Sequence, residues 1–134
     1  MKELVRGGLL LLLLPWFDPW GSGTGDSETV VRMLRGWTIH MDRRLVDSRK
    51  GEAAFELLDH QLYGVSRVVP APALERLRAV PIWLGVEDER GRHACACYHP
   101  SEEWLRANGY DTAKARSVDI ANAGNFLALS LIHI

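Results

Sequence analysis

Cysteine is scarce in these 134 residues, with only Cys95 and Cys97 present, and that scarcity excludes a small fold framed by disulfides. Stability has to come from a packed core. The pair is also poorly placed for a mutual bridge, since residues two apart in a strand have Cα atoms about 6.5 Å apart and parallel thiols. They read as two small apolar residues on one strand face, with an intermolecular bridge left open. Charge of one sign is lacking as well. Sixteen Lys and Arg stand against 17 Asp and Glu, a formal net charge of -1, so no basic field exists to hold a phosphate backbone and nucleic acid is not expected as a partner. Long hydrophobic runs are missing too. The apolar stretch 9–14, extended by Pro15, Trp16 and Phe17, stops at Asp18, well short of the ~20 residues a membrane-spanning helix needs. There is no Gly-rich phosphate loop, no Gly-x-Ser-x-Gly elbow and no His-Glu-x-x-His pair, which removes the usual sequence grounds for nucleotide, serine-hydrolase or zinc chemistry within these residues.

What is present is an ordinary globular composition, 47% hydrophobic and 25% charged, sized for one domain. At the N-terminus Lys2 and Arg6 precede the apolar run, the layout of a secretory signal over residues 1–23. Gly21, Ser22, Gly23 and Gly25 supply small residues for cleavage, although no Ala-x-Ala site occurs. The protein is therefore expected to be exported, secreted or periplasmic, touching a membrane only through this segment. The plainer alternative is an uncleaved anchor or a buried N-terminal helix. Residues 18–27 are rich in Gly, Pro and Ser and read as a linker. At the other end, residues 129–134 back-translate in one frame as CTG TCT CTT ATA CAC ATC, the mosaic end of transposase library adapters. The expectation is that natural protein runs to residue 128, against the alternative of a short C-terminal strand.

Between these ends the patterning predicts an α+β domain over 36–128, with a small mixed sheet and a long backing helix. Residues 24–35 read as linker and a short helix, 29–34, reaching Gly36. Trp37, Ile39 and Met41 alternate with polar residues as a strand does. Ala54, Leu58, Leu62, Val65 and Val69 draw one stripe along a helix over 50–69. Pro70 and Pro72 end that helix, and a shorter one over 73–79 buries Leu74 and Leu77. Residues 81–86 are a central strand; 87–91 form a polar turn, and 93–99 return as the second strand of a hairpin. Ser101 caps a helix whose first turn carries Glu102 and Glu103 and which ends at Asn108 and Gly109. A last strand covers 117–121, with a new element starting at 122–126.

The most tempting chemistry is the row His93, Cys95, Cys97 and His99, all on one face of a strand. At ~3.3 Å per residue its ends lie about 20 Å apart, whereas zinc ligands lie within about 2.3 Å of one ion. One site cannot use all four, and a Cys-rich inward face is the simpler reading. His40 and His60 are isolated and read as surface or hydrogen-bonded histidines. Glu87, Asp88 and Glu89 are a solvated turn. Trp83 and Trp104 are expected as anchors of the core.

Four segments carry a resemblance: Val80-Pro81-Ile82-Trp83-Leu84, Ala96-Cys97-Tyr98-His99-Pro100-Ser101, Trp104-Leu105 with Gly109, and Val118-Asp119-Ile120-Ala121-Asn122. Their order and spacing over residues 36–127 resemble a family of exported bacterial zincin-like metallopeptidases. In that family a segment like 118–126 lies shortly before a helix bearing His-Glu-Leu-Ala-His, whose histidines bind zinc and whose glutamate is the general base. The resemblance implies that this chain is the N-terminal subdomain of such a protein, inactive by itself, with no catalytic or metal residue of its own. Zinc and a peptide or protein substrate then belong to the full-length parent. Edge strands in zincins hold extended peptides, which makes Tyr98 and His99 candidate substrate-side residues; the local alternative is that His99 ends a strand before Pro100 and packs there. The alternative function is a small secreted binding or structural module without enzymatic activity.

Overall fold

The computed structural model describes residues 28–86 and 95–131. The expected signal at 1–23, its linker, the turn at 87–91, His93 and residues 132–134 lie outside these. The described chain opens with a strand, β1 (Thr29–Leu34), where a short helix was expected. The physical reason is local. Thr29, Val30 and Val31 are β-branched and stiff at χ1, which favours a pleated strand. Arg35 and Gly36 then take φ of 51° and 92°, a two-residue type I′ turn whose twist matches an antiparallel hairpin. β1 accordingly pairs with β2 (Trp37–Asp42) from Thr29↔Asp42 to Leu34↔Trp37.

A short 3-10 turn, Arg43–Leu45, leads into helix α1 (Arg49–Val68). Ser48 caps α1 by accepting from the Gly51 N–H at 3.0 Å. Ala54, Leu58 and Leu62 of the predicted stripe are buried, and Val65 and Val69 are packed against the same cluster. The next helix, α2 (Ala71–Arg78), starts earlier than expected, with Pro72 inside its first turn, where proline's missing N–H costs nothing. Leu74 is buried but Leu77 is exposed, against expectation. What the chain uses at position 77 is the carbonyl, which accepts from Trp37 Nε1 at 2.9 Å.

The sheet has the strand order β1-β2-β3-β5-β4, with β3 (Ile82–Leu84), β4 (Cys97–His99) and β5 (Ser117–Ile120) completing it. β3 runs parallel to both β2 and β5, and β4 is antiparallel to β5 at the far edge. The hairpin expected between 81–86 and 93–99 is therefore replaced by an insertion: β5 lies between them. Alternation marks which face of a strand is apolar but not which strand lies beside it, and central β3 buries Ile82 and Leu84 while bonding parallel neighbours on both sides. On one face of the sheet Ile39, Met41, Ile82, Leu84 and Ile120 pack against α1 and against helix α4 (Ala123–Leu131), which contributes Ala123 and Phe126. Residues 129–131 continue α4 as helix, not strand. Among the described residues, no helix is long and apolar enough to cross a membrane.

Candidate functional site

The opposite face of the sheet is polar. Register places His40, Trp83, Asp119 and Cys97 in one row across β2, β3, β5 and β4, with His99 paired to Ser117 one step away. Cys97 and His99 share that face, as alternation along a strand requires. His99 Nε2 lies 3.1 Å from Asp119 Oδ2 and 3.6 Å from Cys97 Sγ. Lys114 Nζ donates to both carboxylate oxygens of Asp119, at 3.1 and 3.0 Å. His99 and Asp119 are only 1% and 2% exposed.

Two turns hold this cluster. Helix α3 (Glu102–Asn108) begins at Ser101, whose hydroxyl accepts from the Trp104 N–H at 3.2 Å, and ends on Gly109 at φ 71°. That left-handed residue returns the chain so that the Tyr110 N–H bonds the Leu105 carbonyl at 2.9 Å. Trp104 and Tyr110 then flank the His99 imidazole, with centroids 5.9 and 5.7 Å away. Trp104 is itself exposed, so it acts as a lid on His99 and not as the core anchor expected. Next, a 3-10 turn over Thr112–Lys114, capped by Asp111, presents the Lys114 ammonium. Arg116 N–H bonds the His99 carbonyl at 2.7 Å, tying this turn to β4.

A buried carboxylate without partners is costly, and the Lys114 ammonium with the His99 ring offsets that cost. A neutral His99 must carry its proton on Nε2 to donate to Asp119. That assignment decides the chemistry. In a nucleophile-base-carboxylate triad the thiol and the carboxylate engage opposite ring nitrogens; here both face Nε2. Cys97, His99 and Asp119 thus depart from the order of such a triad, and their contacts tie β4 to β5. Among the described residues no group of three or more His, Cys, Asp or Glu is arranged to hold a metal ion, and the cation beside Asp119 is the protein's own lysine.

The other candidates are dispersed. Tyr98 points away from His99 and is 55% exposed, whereas His99 is enclosed. Cys95 and Cys97 do not share one strand face as expected: Cys95 precedes β4 and packs against the core cluster, whereas Cys97 lies beside His99. His60 is exposed on α1. His40 stacks on Trp83 with centroids 4.3 Å apart and ring planes 12° apart, and Trp83 is only partly buried on this polar face, another departure from a core anchor. A concavity of about 520 Å³ lies beside Ser48 and Phe55, and one of about 660 Å³ lies beside Ser101 and Arg116, on the turns that flank the cluster. Asp119 and Lys114 were missed as partners. One signal was available: an aspartate between Val118 and Ile120 in a strand must find a cation or donors once that strand is buried.

Burial lowers the His40 pKa below its ordinary value near 6.5. A lowered folded-state value means that the unfolded chain takes up the proton first as pH falls, so stability is present above about pH 6.5 and is lost below it. His40→Phe is therefore expected to flatten the rise in urea midpoint between about pH 5 and pH 7.5. An unchanged slope would remove His40 from this role. Asp42 titrates lower: its hydrogen bonds from Arg44 hold its carboxyl below the usual value near 3.8, with a smaller pull from Lys114.

Comparison with protein-family models, curated proteins and solved structures finds no match for this chain, so its function is argued from the geometry.

Proposed function

We propose that this chain is the metal-free, substrate-bearing part of an exported zinc-dependent peptidase or peptidase-like protein. The observation that carries this is at the sheet's last strand. β4 ends the strand order, exposes Tyr98, and is fastened from behind by the buried His99–Asp119 contact. A short, rigidly backed terminal strand with an outward aromatic suits an extended peptide, which gains main-chain hydrogen bonds from the strand and side-chain specificity from a neighbouring ring. Tyr98 takes the contact role, and His99 positions it from inside. The resemblance over residues 36–127 supplies the peptidase class, with a mixed α+β sheet backed by a long helix in keeping with it. Zinc, on this assignment, belongs to residues outside this sequence.

The test is genetic and then biochemical. Reading intact genomic DNA past codon 128 is expected to reveal His-Glu-x-x-His within a few tens of codons, and its absence ends the peptidase assignment. The 134-residue chain alone is expected to hydrolyse no peptide, with or without added zinc. In the full-length enzyme, Tyr98→Ala should raise KM roughly tenfold while leaving kcat nearly unchanged, as loss of a ground-state contact does. A fall in kcat at constant KM would place Tyr98 elsewhere in the reaction.

A further inference from the structure

We propose that β1 is a self-association edge, to which a second copy of the chain adds its own β1 antiparallel, centred on Val31, joining two five-stranded sheets into one. This stands whether or not the peptidase assignment does. β1 is the first strand in the sheet order, and among the described residues no strand lies outside it. Natural edges are blunted by Pro, Lys, bulges or short length. β1 has six residues in unbroken register with β2 and no Pro or Lys. Its one charge, Arg32, lies over the Phe55 ring at 5.7 Å, on the helix side. The other side shows Val31 and Met33, 57% and 65% exposed.

The hairpin decides which backbone groups are on offer. With a two-residue turn, the flanking pair Leu34 and Trp37 is a hydrogen-bonded one, so Leu34, Arg32 and Val30 spend their groups on β2. Glu28 follows the same parity, its carbonyl accepting from Arg43 at 2.8 Å. Thr29, Val31 and Met33 therefore direct their N–H and C=O groups outward. A two-fold axis at Val31 pairs Val31 with its copy and Thr29 with Met33 on each side, closing about six hydrogen bonds. It also buries Val31 and Met33 and brings the Glu28–Arg43 pair at one end of each strand beside the Arg35–Asp59 pair of the other, with no like charges directly opposed. An axis at Arg32 loses on each count: it closes fewer bonds and sets two arginines directly opposite, with Cα atoms about 4.5 Å apart. Self-complementarity thus selects both the occupant and the register.

Sedimentation velocity on the full 134-residue chain over a concentration series is expected to show a reversible monomer–dimer equilibrium. Val31→Lys, which puts two ammonium groups opposite each other at the axis, should abolish the dimer, while Tyr98→Lys at the far edge of the sheet should leave it intact. Because Val31 is exposed, the variant should keep the wild-type circular dichroism. Should it unfold, cross-linking decides. Val31→Cys should oxidise to a covalent dimer, its Cα atoms about 5.5 Å apart across the axis, within disulfide range. Arg32→Cys lies on the diagonal at ~7–8 Å and should not exceed the wild-type background. A chain monomeric throughout, whether because its own N-terminal residues or a foreign peptide take this edge, overturns the proposal. So does association that survives Val31→Lys, or equal cross-linking at both positions.

Discussion

Replacing Lys114 with methionine is expected to cost about 3–5 kcal/mol of folding free energy, because it strands the Asp119 carboxylate in the interior with one partner gone. The substitution keeps most of the side-chain length and removes only the charge. Asp119 has no route to water at 2% exposure, and the two hydrogen bonds from Lys114 Nζ, at 3.1 and 3.0 Å, are what balance it there. The reverse deletion should be milder. In Asp119→Asn the amide still fits between the same neighbours, and the Lys114 side chain, a quarter exposed, can turn its ammonium to solvent. The double variant Lys114→Met with Asp119→Leu should recover part of the loss, since it removes the buried charge but takes the carboxylate acceptor from the enclosed His99 ring. Urea denaturation of the wild type, Lys114→Met, Asp119→Leu and the double variant forms a double-mutant cycle. Simple additivity would show that the ion pair is not coupled and that the site is held by its aromatic flank alone.

The second large effect turns on a glycine. Gly51 lies in the first turn of α1, and a Cβ there would run into the backbone carbonyl of Leu45. Backbone cannot rotate away as a side chain does. Gly51→Ala is therefore expected to destabilise by about 3 kcal/mol, lowering the melting temperature by roughly 10 °C or more. The same exchange at Gly64, further along the same helix, meets nothing within 4 Å and should stabilise by about 0.5–1 kcal/mol, the ordinary helix preference for alanine. Opposite signs from one substitution in one helix isolate the close approach between the 3-10 turn and α1. Matching signs would mean the helix start relaxes away from Leu45 freely.

These two predictions rest on different parts of the chain, and both depend on tertiary contacts: Lys114 meets Asp119, and Gly51 meets Leu45, only in the folded chain. Residues near in sequence were readable because their physics is local. The stripe of Ala54, Leu58 and Leu62 marks the buried side of α1 whatever it packs against, and Ser101 caps its helix through a donor three residues away. The α+β character follows from those runs. Residues 29–34 show where locality misleads: a short apolar run without clear period fits either element, and the type I′ turn at Arg35 and Gly36 settles it as a strand only by pairing it with β2.

What the tertiary structure alone decided is adjacency. Nothing in residues 81–99 announces that β5 will separate β3 from β4, because a strand's pattern encodes its faces and not its neighbours. That single placement brings Asp119 alongside Cys97 and within reach of His99, twenty residues away in sequence. The sequence by itself determined that Cys97 and His99 share one strand face, since alternation along a strand is local. The fold decided what that face meets: a carboxylate, a lysine and two aromatic rings. Of the row that looked most like chemistry, Cys97 and His99 are drawn into this clasp, and the exposed large hydrophobics include Tyr98 at one end of the sheet and Val31 with Met33 at the other.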